Sequence, residues 1–183
     1  MVTTEQILDF AGSVEQTTKS ILLGLDPDKE LTQVAFVLTK KMREVDGKQQ
    51  HESRLIPMSW ENEAGKAGMI AALHAYIKAQ DGVALVLVLD ARFKSMPNDA
   101  QSEEYLNNYE PGQLTDDESN PEALVIVACG ERMIPWVRIT PYRRGMDGKV
   151  VKFDEPVVNG YQNGNFESRF IPQFWKQEAP KHA

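Results

Sequence analysis

Three side chains of this sequence have the types that could do chemistry near one another: Asp90, Arg92 and Lys66. Asp90 and Arg92 close the apolar run Val83–Leu89, and polar groups at strand ends are where α/β-type sheets commonly place ligands. An acid and a base two residues apart on such an end could pair, or hold a metal and a phosphate. Lys66 falls on the apolar arc of an amphipathic helix, one turn after Glu63, where a lysine either acts as a base or anion anchor or carries its charge to water along its own stem. If the three met in one cleft they would make a small hydrolase or phosphate-ligand site.

Nothing else in the chain has a recognised catalytic spacing. His51, His74 and His182 are scattered, Cys129 stands alone, and no H-x-x-x-H, C-x-x-C or G-x-S-x-G pattern occurs. Neither Gly145–Gly148 nor Gly160–Gly164 lies between a strand and a helix start as a phosphate loop does, so both read as turns. The expectation is no metal and no cofactor. Cys129, inside an apolar strand, reads as a small core residue in a reducing compartment.

The charge distribution is more informative. Residues 95–122 hold eight carboxylates and no Lys or Arg, so this segment accounts for the net charge of −7 while the remaining 19 acids and 20 bases nearly cancel. A connection of that length is uncommon unless it is functional or disordered. Asp116, Asp117 and Glu118 give it charge. Tyr105 and Tyr109, with Leu106 and Leu114, give it apolar surface that a purely disordered segment lacks. The tail repeats the pattern, with Phe166, Phe170 and Phe174 four residues apart and Trp175 beside them. So much aromatic surface either folds back over its own sheet or clasps a neighbouring subunit. The basic groups Lys40-Lys41-Arg43 and Arg143-Arg144 are too small for a phosphate-binding face, which argues against nucleic acid. The apolar runs are too short to span a membrane. A cytoplasmic location is the default expectation.

The elements that must position these residues read as follows. Thr3 and Gln6 form a capping box before apolar residues at helical spacing from Ile7 to Leu25. Leu31–Thr39 is a mostly buried strand, Asp46-Gly47 a hairpin turn, and Glu52–Met58 a returning strand whose Pro57 favours an edge. Ser59 caps a second helix that runs to about Gln80. Strands follow at 83–91, 122–130, 136–142 and 149–153, and 154–183 shows no regular element. The first pair of these strands, lacking polar alternation, belongs at the centre of the sheet.

The predicted fold is therefore α+β: one mixed, largely antiparallel sheet of five to six strands with two main helices, in the order α-β-β-α-β-loop-β-β-β. Residues 1–160 form the domain, 95–122 an acidic inserted loop, and 161–183 an aromatic C-terminal arm. The functional expectation is a non-enzymatic protein-binding or assembly protein, engaging a protein partner or a second copy through Tyr105, Tyr109, Asp116, Asp117, Glu118, Phe166, Phe170, Phe174 and Trp175. The alternatives are the small enzyme around Asp90 and Arg92, and an acidic inhibitor that imitates nucleic acid.

Overall fold

A computed structural model describes residues 2–92, 120–131, 133–161 and 169–175. Helix α1 (Thr4–Gly24) opens with the expected capping box: Gln6 N–H donates to Thr3 Oγ1 at 3.2 Å, and Thr3 N–H donates back to Gln6 Oε1 at 2.9 Å. Its buried residues Ile7, Ala11, Val14, Glu15, Thr18 and Leu22 recur at helical spacing and form one stripe.

Strands β1 (Gln33–Val45) and β2 (Lys48–Met58) form a hairpin closed by Asp46 and Gly47. Both turn residues have positive φ, 52° and 73°, the geometry that matches a two-residue turn to the twist of its strands. Helix α2 (Glu63–Ala79) then leads to β3 (Gly82–Arg92), and β4 (Glu122–Gly130), β5 (Met133–Arg144), β6 (Val150–Phe153) and β7 (Val158–Tyr161) complete the sheet.

The strand order is β2-β1-β3-β4-β5-β6, with β7 also paired to β5, and every hydrogen-bonded neighbour is antiparallel. Because β1 lies between them, β2 and β3 run parallel to each other, and α2 carries the chain across β1 from one to the other. The central pair is β3 and β4, as their unbroken apolar sequences predict.

Alternation divides the sheet into two faces. Val34, Phe36, Leu38, Ala84, Val86, Val88, Leu124, Ile126 and Ala128 pack with α1 on the first. Ala35, Val37, Leu85, Leu87, Val127, Cys129 and Val137 pack with Ile70, Leu73 and Ile77 of α2 on the second. Gly82 sits where α2 turns into β3. A Cβ there would lie 2.9 Å from both Ile77 Cγ2 and Val37 Cγ1, so this close approach of helix and sheet requires glycine.

The α+β class is as the sequence predicts and the element order largely so; β7 is additional and brings the sheet to seven strands, and the pairing is antiparallel throughout rather than mixed. Two further sequence expectations are corrected. Asn62, not Ser59, caps α2, its Oδ1 accepting Gly65 N–H at 2.9 Å. The segment after residue 154 contains regular structure, namely β7 and a single 3₁₀ turn, Gln173–Trp175. Among the described residues, no helix is long and apolar enough to cross a membrane.

Candidate functional site

Asp90 lies on the α1 face of β3, two residues beyond Val88, and its carboxylate accepts the hydroxyl proton of Tyr142 at 2.7 Å. Tyr142 reaches it because β4 separates the two strands by one position: Asp90 pairs with Leu124, which pairs with Thr140. The network continues outward. Arg144 Nε donates to Glu122 Oε2 at 2.8 Å, its Nη2 lies 3.3 Å from Glu122 Oε1 and 3.5 Å from the Tyr142 hydroxyl, and its Nη1 donates to the Gly148 carbonyl at 3.0 Å. Arg92 stands opposite Glu122 in the ladder.

Burial raises the Asp90 pKa, and the Tyr142 hydrogen bond only partly offsets it; the nearby Glu122 charge adds to the rise and Arg144 opposes it. Tyr142 is pushed up in turn, first by burial and then by the adjacent Asp90 charge. A phenol held this firmly protonated is a donor to Asp90, not a nucleophile. The network ties β3, β4 and β5 together at the point where residues 93–119 leave and return.

Lys66 does not join it. Its ammonium lies over the Trp60 ring, 5.5 Å from the centroid, on the α2 side of the sheet. Asp90 faces α1. The seven-strand sheet therefore stands between Lys66 and the Asp90 cluster, and the three-residue pocket expected for an enzyme is not assembled. Parity along β3 explains why: α2 covers the odd positions Leu85 and Leu87, while Asp90 belongs to the even set with Val86 and Val88.

The tail anchors on the α2 face. Phe170, Ile171 and Trp175 are buried there, Trp60 packs on Phe170 with ring centroids 5.8 Å apart, and His74 Nε2 donates to the Phe170 carbonyl at 3.0 Å. Phe170 and Trp175 are thus inside this chain's own core, whereas Phe174 is 55% exposed. Phe166, Tyr105, Tyr109, Asp116, Asp117 and Glu118 lie outside the described residues. Cys129 is buried, and burial pushes its thiol up to about 12, which leaves it an inert core residue. His51 bonds the Thr39 carbonyl at 2.7 Å.

The feature that sequence reasoning missed is on the α1 face. Helix α1 packs along β4, β3 and β6, and between it and the β1–β2 end of the sheet runs a groove of about 650 Å³. Val34, Phe36, Leu55 and Val88 form its sheet side; Phe10, Val14 and Ile21 form its helix side. Leu55 and Ile21 are 56% and 50% exposed. The helix-side hydroxyls of Ser13, Thr17 and Thr18 donate to carbonyls one turn back and make few demands on a ligand. Glu30, whose charge also reaches Asp90, supplies a carboxylate on the lining. No family model, curated relative or solved structure matches the chain.

Proposed function

We propose that this chain is a non-enzymatic protein-binding module whose receiving surface is the apolar groove between α1 and the β1–β2 end of the sheet. The observation that supports this reading is a strip of sheet that the described residues leave partly open. Six strands spaced by about 4.8 Å make a face about 24 Å wide, whereas one helix with its side chains is about 10–12 Å across. On this face α1 is the one helix among the described residues; its Phe10 reaches Phe36 edge-on, ring centroids 5.7 Å apart, whereas Leu55 beside Phe36 remains 56% exposed.

The complementary object is an amphipathic helix of a partner protein. Laid beside α1, it would place residues at i, i+3, i+4 and i+7 on Val34, Phe36, Leu55 and Ile21. A Lys or Arg would meet Glu30. The separation of Lys66 from Asp90 favours this over the small-enzyme alternative.

The test uses synthetic helical peptides with a Leu/Phe stripe and one flanking Lys, titrated against the full chain by fluorescence anisotropy. Saturable binding in the micromolar range is expected, weakened at least tenfold by Leu55→Glu or Ile21→Glu and absent for a peptide of the same composition with the stripe scrambled. Equal affinity for striped and scrambled peptides, or indifference to both substitutions, refutes the reading.

A further inference from the structure

The two edges of the sheet are built differently. On the β5 side the edge is shared by β6 and β7, four residues each, and short edge strands are a standard protection against unwanted pairing. On the other side β2 presents an 11-residue strand whose pairing, among the described residues, is to β1 alone. Its outer row of backbone N–H and C=O groups is a template for another strand.

We infer that this template is for a second copy of the same chain, joined antiparallel through β2 about a twofold axis at Ser53. The reason is the order of charges. Glu52 and Arg54 flank Ser53 and project on the α2 face, since Arg54 pairs with Val37 of that core. Within one chain they form a surface ion pair, Arg54 Nη2 to Glu52 Oε1 at 2.7 Å, with Arg54 about half exposed. Antiparallel pairing of two identical strands about Ser53 sets each Glu52 directly across from Arg54 of the second copy, giving two symmetric opposite-charge pairs. Moving the centre by one residue sets Glu52 against Glu52 or Arg54 against Arg54, which like-charge repulsion disfavours. The charges therefore select the partner as well as the register: a twofold interface needs a self-complementary patch, and Glu-Ser-Arg is one.

The same pairing places Leu55, more than half exposed, across from His51 of the second copy, and brings the Ser53–Leu55 sides of the two grooves next to each other. Pro57, which lacks a donor, lies near the strand end opposite Gln49, where loss of one ladder bond matters least. The inference goes beyond the helix-binding reading and does not depend on it, because Glu52 and Arg54 face away from the groove.

Sedimentation equilibrium of the full chain, up to about 200 µM, tests it. A monomer–dimer equilibrium is expected. Arg54→Glu turns both opposite-charge pairs into facing carboxylates and is expected to weaken the dimer by about tenfold or more, from two cross-strand pairs at the usual magnitude. The exchange Glu52→Arg with Arg54→Glu recreates both opposite-charge pairs and is expected to restore the dimer. Unchanged thermal melting at low concentration verifies that each variant folds. A wild-type chain that stays monomeric, a dimer indifferent to Arg54→Glu, or an exchange variant that fails to recover overturns the inference. Peptide binding to the groove by a monomeric Arg54→Glu chain would show that the helix-binding reading stands apart from it.

Discussion

Glu15 is 1% exposed, yet it carries a carboxylate into the interface between α1 and the sheet. Arg138 Nη1 donates to its Oε2 at 2.5 Å, and Lys19 Nζ lies in ionic contact 2.7 Å from Oε1 without hydrogen-bond alignment. Arg138 is fixed by two further contacts, Nε donating to Asn159 Oδ1 at 3.1 Å and the guanidinium 4.9 Å from the Trp136 centroid. Replacing Arg138 by Met keeps a stem over Trp136 and removes the cation. Two unit charges about 4 Å apart at an effective dielectric of about 20 attract by about 4 kcal/mol, and breaking a buried pair typically costs about 3–5 kcal/mol. Here Lys19 remains and Arg138 is about a quarter exposed, so solvent screening reduces the expected loss to about 2–3 kcal/mol. Glu15→Gln leaves Arg138 able to turn toward water and should cost less, about 1–2 kcal/mol. The double variant buries no unpaired carboxylate, so its loss should fall short of the sum of the single losses by at least about 1 kcal/mol. Urea unfolding followed by far-UV circular dichroism, with m held constant across the set, measures each quantity. Strict additivity, or an Arg138→Met loss below about 0.5 kcal/mol, would refute the argument that this contact bolts α1 to β5.

Three further outcomes are expected. Asp90→Asn should leave stability at pH 7 unchanged or raised: the folded-state pKa of Asp90 lies above 3.8, so its ionisation opposes folding, and the handicap is relieved as pH falls through that raised value toward 3.8. The variant's urea midpoint should accordingly rise less on acidification than the wild type's over that window, and a loss of more than about 2 kcal/mol at pH 7 would instead mark Asp90 as an indispensable charged partner. Trp175→Ala and Phe170→Ala should each lower unfolding free energy by about 3–5 kcal/mol, whereas Phe174→Ala should stay within about 0.5 kcal/mol, a contrast read by chemical denaturation that fails if the tail is not docked on α2. Gly82→Ala should cost about 1–3 kcal/mol in the same assay, because its Cβ must displace Ile77 or Val37.

What could be read from sequence divides by the range of the interaction that decides it. The Thr3/Gln6 box, the Asp46-Gly47 turn and the apolar runs of β3 and β4 are local signals, and each appears where its residues place it. The α2 cap is ambiguous in sequence because Ser59 and Asn62 are both competent acceptors. Trp60 packs against Phe170 and the α2 core, and it is Asn62 that meets Gly65 N–H. Strand β7 carries little signal of its own in four residues; it exists because β5 offers Trp136–Ile139 as a partner. The Asp90–Tyr142–Arg144–Glu122 network is likewise a product of register. Its even-numbered positions agree in parity with Val86 and Val88, but no local pattern says that β4 and β5 align them.

The groove illustrates a different limit, since alternation reports that a face is apolar without reporting what covers it. Strand β1 carries Ala35 and Val37 on one side and Val34, Phe36 and Leu38 on the other, which predicts burial on both. The odd side is covered as expected, by α2 and the tail segment Phe170–Trp175. On the even side Leu38 is buried, but Val34 and Phe36 remain partly open where α1 diverges from the hairpin, and Leu55 beside Phe36 is more than half exposed. A strand composed for two covered faces and given one and a half by the described chain is a physical reason to look for a second body on that face. The β2 edge next to it is self-complementary in charge. The two surfaces thus make separable demands, a helix on the strip and a strand on the edge, and substitutions at Leu55 and Arg54 address them one at a time.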